Sequence, residues 1–376
     1  MQDYRRSKPT SPPVRLNHEG SRGMNSPLLD TASSNPKRRL TITTALVTTA
    51  IVGLALTGCT AGDTTSNPDT GSGDGSGDGI SIAIMGGAPD DPFWSTVKRG
   101  AEAAAKAVEA AGGTVTFVSM PNYDNFNADA AKLVANMLAM KPSAVIVPNW
   151  SPESQNENIT AISSAGIPVI VYNSGFSTVE EVGAQIYIGS DDKIAGVAGG
   201  EAFAENGATN IVCVNTLPGN TNQEARCAGV IEGAESGGAT ASSLNLPSTQ
   251  YGDPSAVTQA IKGALLNDPS IDALITIGTT DADSAAGAIE QAGSAGNVQL
   301  GTFDVSEASL DRIAGDTQLF SIDQQPFAQG YYAVSNAFQL AAYGIYLPQS
   351  PLLTGPALIT ADNVELAIRG TELGVR

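Results

Sequence analysis

Histidine is all but missing from this 376-residue chain: the one residue, His18, lies in a basic leader. The remainder therefore has no His-assisted serine or cysteine nucleophile and no ordinary zinc site. No Gly-x-Gly-x-x-Gly follows the first apolar strand, so a dinucleotide fold is not signalled either. Neither an enzyme, a cofactor nor a metal is expected. Basic charge is also scarce. Eight of the nineteen Lys and Arg fall in residues 1–40 beside three acids, which leaves the rest with 11 bases, 35 acids and a formal charge of −24. Nucleic-acid binding rests on Lys and Arg neutralising phosphates, so no nucleic-acid partner is expected. A strongly anionic ligand held by a basic cleft is disfavoured for the same reason. Acidity of this kind serves mainly solubility.

The first forty residues are polar and without periodicity, and they close on Lys37-Arg38-Arg39. An apolar run over residues 40–56 follows and ends Leu56-Thr57-Gly58-Cys59. A basic region, a short apolar region and small residues in that order read as a secretory signal. Met24 offers a second start that places the basic triplet at the usual distance. The order Leu, small, Gly, Cys resembles the bacterial lipobox, in which the Cys is acylated and becomes the mature N-terminus. Cys59 is thus the expected lipidation site. A membrane-spanning helix is the competing reading, for which the run is short and rich in Thr. Each buried acyl CH₂ contributes about 0.8 kcal/mol, so a multiply acylated Cys59 anchors firmly. Residues 59–79 are rich in Gly, Ser, Asp and Thr and cannot bury a core, so they read as a flexible tether. With Cys59 acylated, Cys213 and Cys227 remain. In an oxidising compartment they form a disulfide, contributing about 3 kcal/mol in the chain-entropy model. Two buried free thiols are the alternative.

From residue 80 onward short β-branched runs alternate with helical runs. Strands are expected at 80–84, 114–118, 144–147 and 167–171. After a break the rhythm restarts, with strands at 210–214, 241–246, 273–277 and 298–302. Helices lie between them, among them 92–111, 224–236 and 284–292, and starts such as Ser151-Pro152 and Asp253-Pro254 combine a cap with an N1 proline. Alternating βα units with apolar strands mean parallel, helix-covered sheets. Two sets mean two Rossmann-like α/β lobes. In open α/β sheets ligands bind beyond the carboxyl ends of the strands. Those ends hold residues 86–94, Asn149-Trp150, Asn173-Ser174, 218–226, Tyr251, 278–283 and Asp304, rich in aromatics, amides and carboxylates. Amides and carboxylates bind hydroxyls directionally, and an aromatic face covers the C–H face of a sugar ring. A small neutral polyhydroxy ligand suits this inventory.

The tract Asp90-Asp91-Pro92-Phe93-Trp94 resembles the Asn-Asn-Pro-Phe-Phe type motif of ribose-binding-like periplasmic proteins. The resemblance continues in residues 166–170, 222–229 and 301–304, and in Ser321-Ile322-Asp323-Gln324-Gln325-Pro326-Phe327. It spans residues 80–376. It implies a type 1 periplasmic binding protein fold, in which a three-stranded hinge joins the lobes and the ligand lies between them. The expected crossovers are Gly189-Ser190, Asp323-Gln324 and Leu353-Thr354. The lobes would then comprise 80–189 plus 324–353 and 190–323 plus 354–376. Site roles implied by the resemblance are ligand contact for Asp91, stacking for Phe93 and Trp94, and hydroxyl binding for Arg226 and Asp304. Tyr251 takes an aromatic position and Gln324 the hinge. Trp150 and Asn173 complete the first lobe's set, and Asp281 or Asp283 faces the ligand. Relatives often have Asp-Arg where this chain has Asn173-Ser174, so ribose does not carry over.

The expected function is capture of a small neutral sugar or polyol and its delivery to an ABC permease. The chain would be a lipid-anchored monomer on the outer face of the cell membrane. A lipoprotein that senses a sugar or furanone signal for a membrane receptor is the alternative. Asp91 as a mere helix cap, Arg226 as a surface ion pair and Asp304 as a cap for a helix near Ser306 are the structural alternatives at those positions.

Overall fold

The computed structural model describes residues 79–345, 347 and 349–376. The leader (1–58), the lipidation site at Cys59 and the tether up to residue 78 lie outside them. Strand β1 (Ser81–Gly86) leads into helix α1 (Pro92–Ala110). Asp91 takes the N-cap, accepting from the Phe93 amide at 2.9 Å, and Pro92 sits where no amide donor is needed. Trp94, Val97, Ala101, Ala104 and Val108 fall on one helical face and are buried. The alternation continues through β2 (Thr114–Ser119), α2 (Phe126–Ala139), β3 (Ala144–Val147), α3 (Pro152–Ser164), β4 (Val169–Tyr172) and β5 (Ile186–Ser190). Every residue of β3, β4 and β5 is buried, as inner strands of a helix-covered parallel sheet must be.

A second set follows: α4 (Asp192–Glu205), β6 (Asn210–Asn215), α5 (Thr221–Ser236), β7 (Thr240–Asn245), α6 (Pro254–Asn267) and β8 (Ala273–Thr276). It runs on through α7 (Thr279–Ala292), β9 (Gln299–Phe303), α8 (Glu307–Ala314) and β10 (Phe320–Asp323). The chain then supplies α9 (Pro326–Tyr343) and β11 (Leu352–Gly355), and ends with β12 (Ala357–Ile359) and α10 (Val364–Glu372). Two six-stranded sheets result, in the orders β11-β5-β4-β3-β1-β2 and β12-β10-β9-β8-β6-β7. Only the pairing of β10 with β12 is antiparallel among the described ladders.

Three passages join the lobes: β5 to α4, β10 to α9, and β11 to β12. The third falls later than Leu353-Thr354. A register shift between Leu353 and Gly355 keeps β11 paired with β5, Gly355 lying opposite Ser190, before the chain leaves. Helix α7 also begins earlier than residue 284. Gly278 takes its N-cap directly after β8, which puts Asp281 in the first turn.

Two helix pairs approach backbone to backbone. On α4 and α5, a Cβ at Gly196 would lie 2.1 Å from the Arg226 carbonyl oxygen, and one at Gly229 2.2 Å from that of Lys193. On α9, a Cβ at Gly330 would lie 2.0 Å from the Val97 carbonyl oxygen of α1. Only glycine permits such approaches. Cys213 of β6 and Cys227 of α5 form a disulfide with Cα atoms 5.5 Å apart, buried in the second lobe's core.

Candidate ligand-binding cleft

A cavity of about 520 Å³ opens between the carboxyl ends of the two sheets. Asp91, Phe93, Trp94, Trp150 and Asn173 line it from the first lobe. Arg226, Tyr251, Asp281 and Asp304 line it from the second, and Gln324 from the passage between β10 and α9.

The first lobe offers an aromatic wall. Trp94 is mostly buried, edge-on to Phe93, Trp150 and Tyr172 at 5.2, 5.4 and 6.1 Å between centroids. Trp150 donates its indole N–H to the Asn173 oxygen at 3.3 Å, and Asn173 donates to Gln329 at 3.3 Å. The Asp91 cap is also a cleft residue. Its carboxylate accepts from the Tyr123 hydroxyl at 2.7 Å, and that hydroxyl accepts from the Ala88 amide at 3.0 Å. Burial lifts the Asp91 carboxyl above its ordinary range, against the lowering effect of Tyr123 and the Phe93 and Trp94 amides.

The second lobe offers charge. Arg226 is 3% exposed, so it is no surface ion pair. Its Nε donates to Asp192 at 2.9 Å and its Nη1 to the Ile277 carbonyl at 3.0 Å, while the guanidinium lies 4.6 Å over the Phe303 ring. The close packing of α4 on α5 is what brings Asp192 to Arg226. Burial still pushes the Asp192 carboxyl up to about 6 and outweighs the guanidinium. Asp281 is 7% exposed and accepts from the Thr216 hydroxyl at 2.8 Å, and burial raises it to about 6. Asp283 instead turns outward to Arg312 at 2.7 Å. Asp304 accepts from the Gln324 amide at 2.5 Å and is raised to about 6 by burial, against the pull of Arg226. It does not cap α8, whose start is closed by a Ser306–Ser309 capping box.

Asn173, Asp304 and Gln325 hold left-handed backbone, with φ of 62, 68 and 55°. Such conformations cost of order 1–3 kcal/mol and persist where surroundings enforce them. Here they re-aim the chain at strand ends. The Gln324 carbonyl ties two passages together, accepting from Thr354 at 2.8 Å and from Gln329 at 3.1 Å. Across the cleft the Thr221 amide and hydroxyl both donate to the Trp150 carbonyl at 3.1 Å. The Tyr123 and Tyr251 rings meet edge-on at 5.3 Å, and Arg99 donates to the Gly374 carbonyl at 2.8 Å. The lobes therefore touch around the cavity.

Sequence reasoning passed over Asn122, Tyr123 and Phe126, which line the cavity just beyond β2, and Asp192, which anchors Arg226. The strand-end rule reaches the first three once β2 is included. Nothing in the local pattern marks Asp192.

The periplasmic binding protein domain family matches residues 82–344, and the chain belongs to it. A carbohydrate transporter structure from Acidothermus cellulolyticus 11B, in complex with myo-inositol, is 29% identical with a TM-score of 0.71. It covers 79% of this chain and 100% of its own. The glucose-galactose binding protein GanP from Geobacillus stearothermophilus is 19% identical with a TM-score of 0.68, over 76% of this chain and 99% of its own. An ABC transporter periplasmic solute binding protein from Actinobacillus succinogenes 130z, with bound D-allose, is 21% identical with a TM-score of 0.65, over 76% and 99%. These likenesses make the architecture a type 1 periplasmic binding protein. No match was found among curated proteins.

Proposed function

We propose that this chain is an extracytoplasmic solute-binding lipoprotein that captures a small sugar or polyol and delivers it to an ABC importer. The observation that carries the reading is the cavity between the lobes, walled on one side by Trp94, Trp150 and Phe93 and on the other by Arg226, Asp281 and Asp304. Its volume of about 520 Å³ suits a ring-sized ligand. The Acidothermus relative with myo-inositol and the Actinobacillus structure with D-allose support the same chemistry. A ligand that touches both walls favours the closed arrangement, and a permease that reads closure receives only loaded protein. Acylation of Cys59 would hold the protein, as a monomer, at the outer face of the membrane, with residues 60–79 as tether.

A thermal-shift screen of pentoses, hexoses and polyols, bare and substituted, tests the reading. A specific ligand raises the melting temperature by mass action. Stabilisation by a nucleoside or amino acid, with every sugar and polyol silent, would refute the substrate class. Asp304→Ala should abolish the shift, and an unchanged affinity removes that residue from the site.

A further inference from the structure

We propose that the cleft takes a polyhydroxylated ring bearing a primary amine, an amino sugar or aminocyclitol, with its ammonium seated against Asp281. The inference deepens the sugar-or-polyol reading above and rests on it. Asp91, Asp281 and Asp304 all line the cavity, and none has an ion-pair partner among the described residues. The guanidinium buried with them is committed elsewhere, since Arg226 pairs with Asp192 at 2.9 Å. Of the other lining arginines, Arg376 lies 3.3 Å from Asp323, and the exposed Arg99 donates to the neutral Gly374 carbonyl at 2.8 Å and keeps its charge, so the lining still holds more carboxylates than guanidiniums. Asp90 and Glu307, both exposed, add the same sign at the rim. The cavity thus carries negative charge that the protein leaves unbalanced.

Hydrogen-bonding capacity points the same way. An ionised carboxylate only accepts. Thr216 reaches only Oδ2 of Asp281, so Oδ1 of this cavity-lining residue, 7% exposed, has no hydrogen bond among the described residues. The complement of such a group is a donor. A hydroxyl brings one donor, whereas an ammonium brings three and a charge.

Asp281 is the least compensated of the three carboxylates. Asp91 is held by Tyr123 and the Phe93 amide, and Asp304 by Gln324, but the only side-chain partner of Asp281 among the described residues is Thr216. It lies in the first turn of α7, where the helix N-terminus favours the ionised form. A neutral ring closed over it buries an unpaired charge, and an ammonium converts that charge into a charge-assisted hydrogen bond. The neutral ligand suggested by residue types alone gives way to a cationic one.

Isothermal titration of the purified full-length chain at neutral pH, with pairs that differ only by amine for hydroxyl, decides the matter. Suitable probes are D-glucosamine against D-glucose, D-galactosamine against D-galactose, and 1-amino-1-deoxy-myo-inositol against myo-inositol. The expected result is an amine that binds about tenfold or more tighter than its hydroxyl counterpart, the scale of one hydrogen bond to a charged group. N-acetylation, which removes the charge, should erase the gain. Asp281→Asn should move the amine-to-hydroxyl ratio toward one, which a general weakening of the site does not do. The wild-type pairs decide even if that variant fails to fold. Hydroxyl compounds that bind as tightly as their amines, or tighter, overturn the inference and leave the sugar-or-polyol reading standing. Silence from every member of every pair overturns both.

Discussion

Replacing Arg226 by Met probes the buried ion pair that holds the second lobe's side of the cleft. Arg226 and Asp192 have side chains only 4 and 10% exposed, so the variant leaves a carboxyl in the interior with no guanidinium beside it. Breaking a buried pair from one side costs about 3–5 kcal/mol. Part of that cost depends on pH. The folded pKa of Asp192, about 6, lies above the ordinary carboxyl value, so ionisation penalises the folded state. The penalty is absent below the unfolded value of about 3.9 and complete above the folded one. Without the lowering pull of Arg226 the carboxyl titrates higher still. Each unit of that further rise adds about 1.4 kcal/mol at high pH, up to a ceiling of about 2 kcal/mol at about pH 7.5, set by the interval from about 6. The remainder comes from the unpaired Ile277 carbonyl and the uncovered Phe303 face. Urea unfolding followed by circular dichroism should therefore show Arg226→Met costing less at about pH 5 than at about pH 7.5, by up to about 2 kcal/mol. Adding Asp192→Asn should recover a similar amount at the higher pH. Equal costs at both pH values would refute this account of the pair.

The disulfide closes a loop that contains Leu217, Asn220, Asn222, Gln223 and Arg226 of the cavity wall. Cys213→Ser with Cys227→Ser should lower stability by about 3 kcal/mol and raise amide exchange across residues 214–226, and an unchanged exchange rate there would show that the bond does not order the wall. Gly196→Ala drives a Cβ to 2.1 Å from the Arg226 carbonyl oxygen, so α4 and α5 must part. Overpacking of this kind costs about 1–3 kcal/mol, and a melting temperature equal to wild type would count against the close approach. Asp281 and Asp304, both raised to about 6 by burial, should make the unliganded protein more stable at about pH 5 than at about pH 7.5. A melting temperature that falls on acidification over that range contradicts the burial of both carboxyls.

Much of the architecture was legible because inner parallel strands are buried on both faces. Ala144–Val147 and the tail of the 167–171 run read as unbroken apolar segments, and their helices carry visible caps at Asp91-Pro92 and Asp253-Pro254. What escaped lacked such a signal. Strands β11 and β12 are three or four residues long and partly exposed at sheet edges, so no periodicity marks where the third passage leaves the first lobe. The α4–α5 contact is made by glycines, which add no apolar stripe, so nothing announced that Asp192 would reach Arg226. The cleft was more legible than the hinge for a topological reason. Parallel strands deliver their ends to one side of a sheet, so residues scattered from Asp91 to Gln324 converge without any local motif. What that rule cannot convey is balance. It names Arg226 and Asp304 alike as polar strand-end groups, and only the packing reveals that the arginine is already paired while three carboxylates have no ion-pair partner among the described residues. Net charge within the cleft, and with it the kind of ligand, is a property of helix–helix contact rather than of strand order.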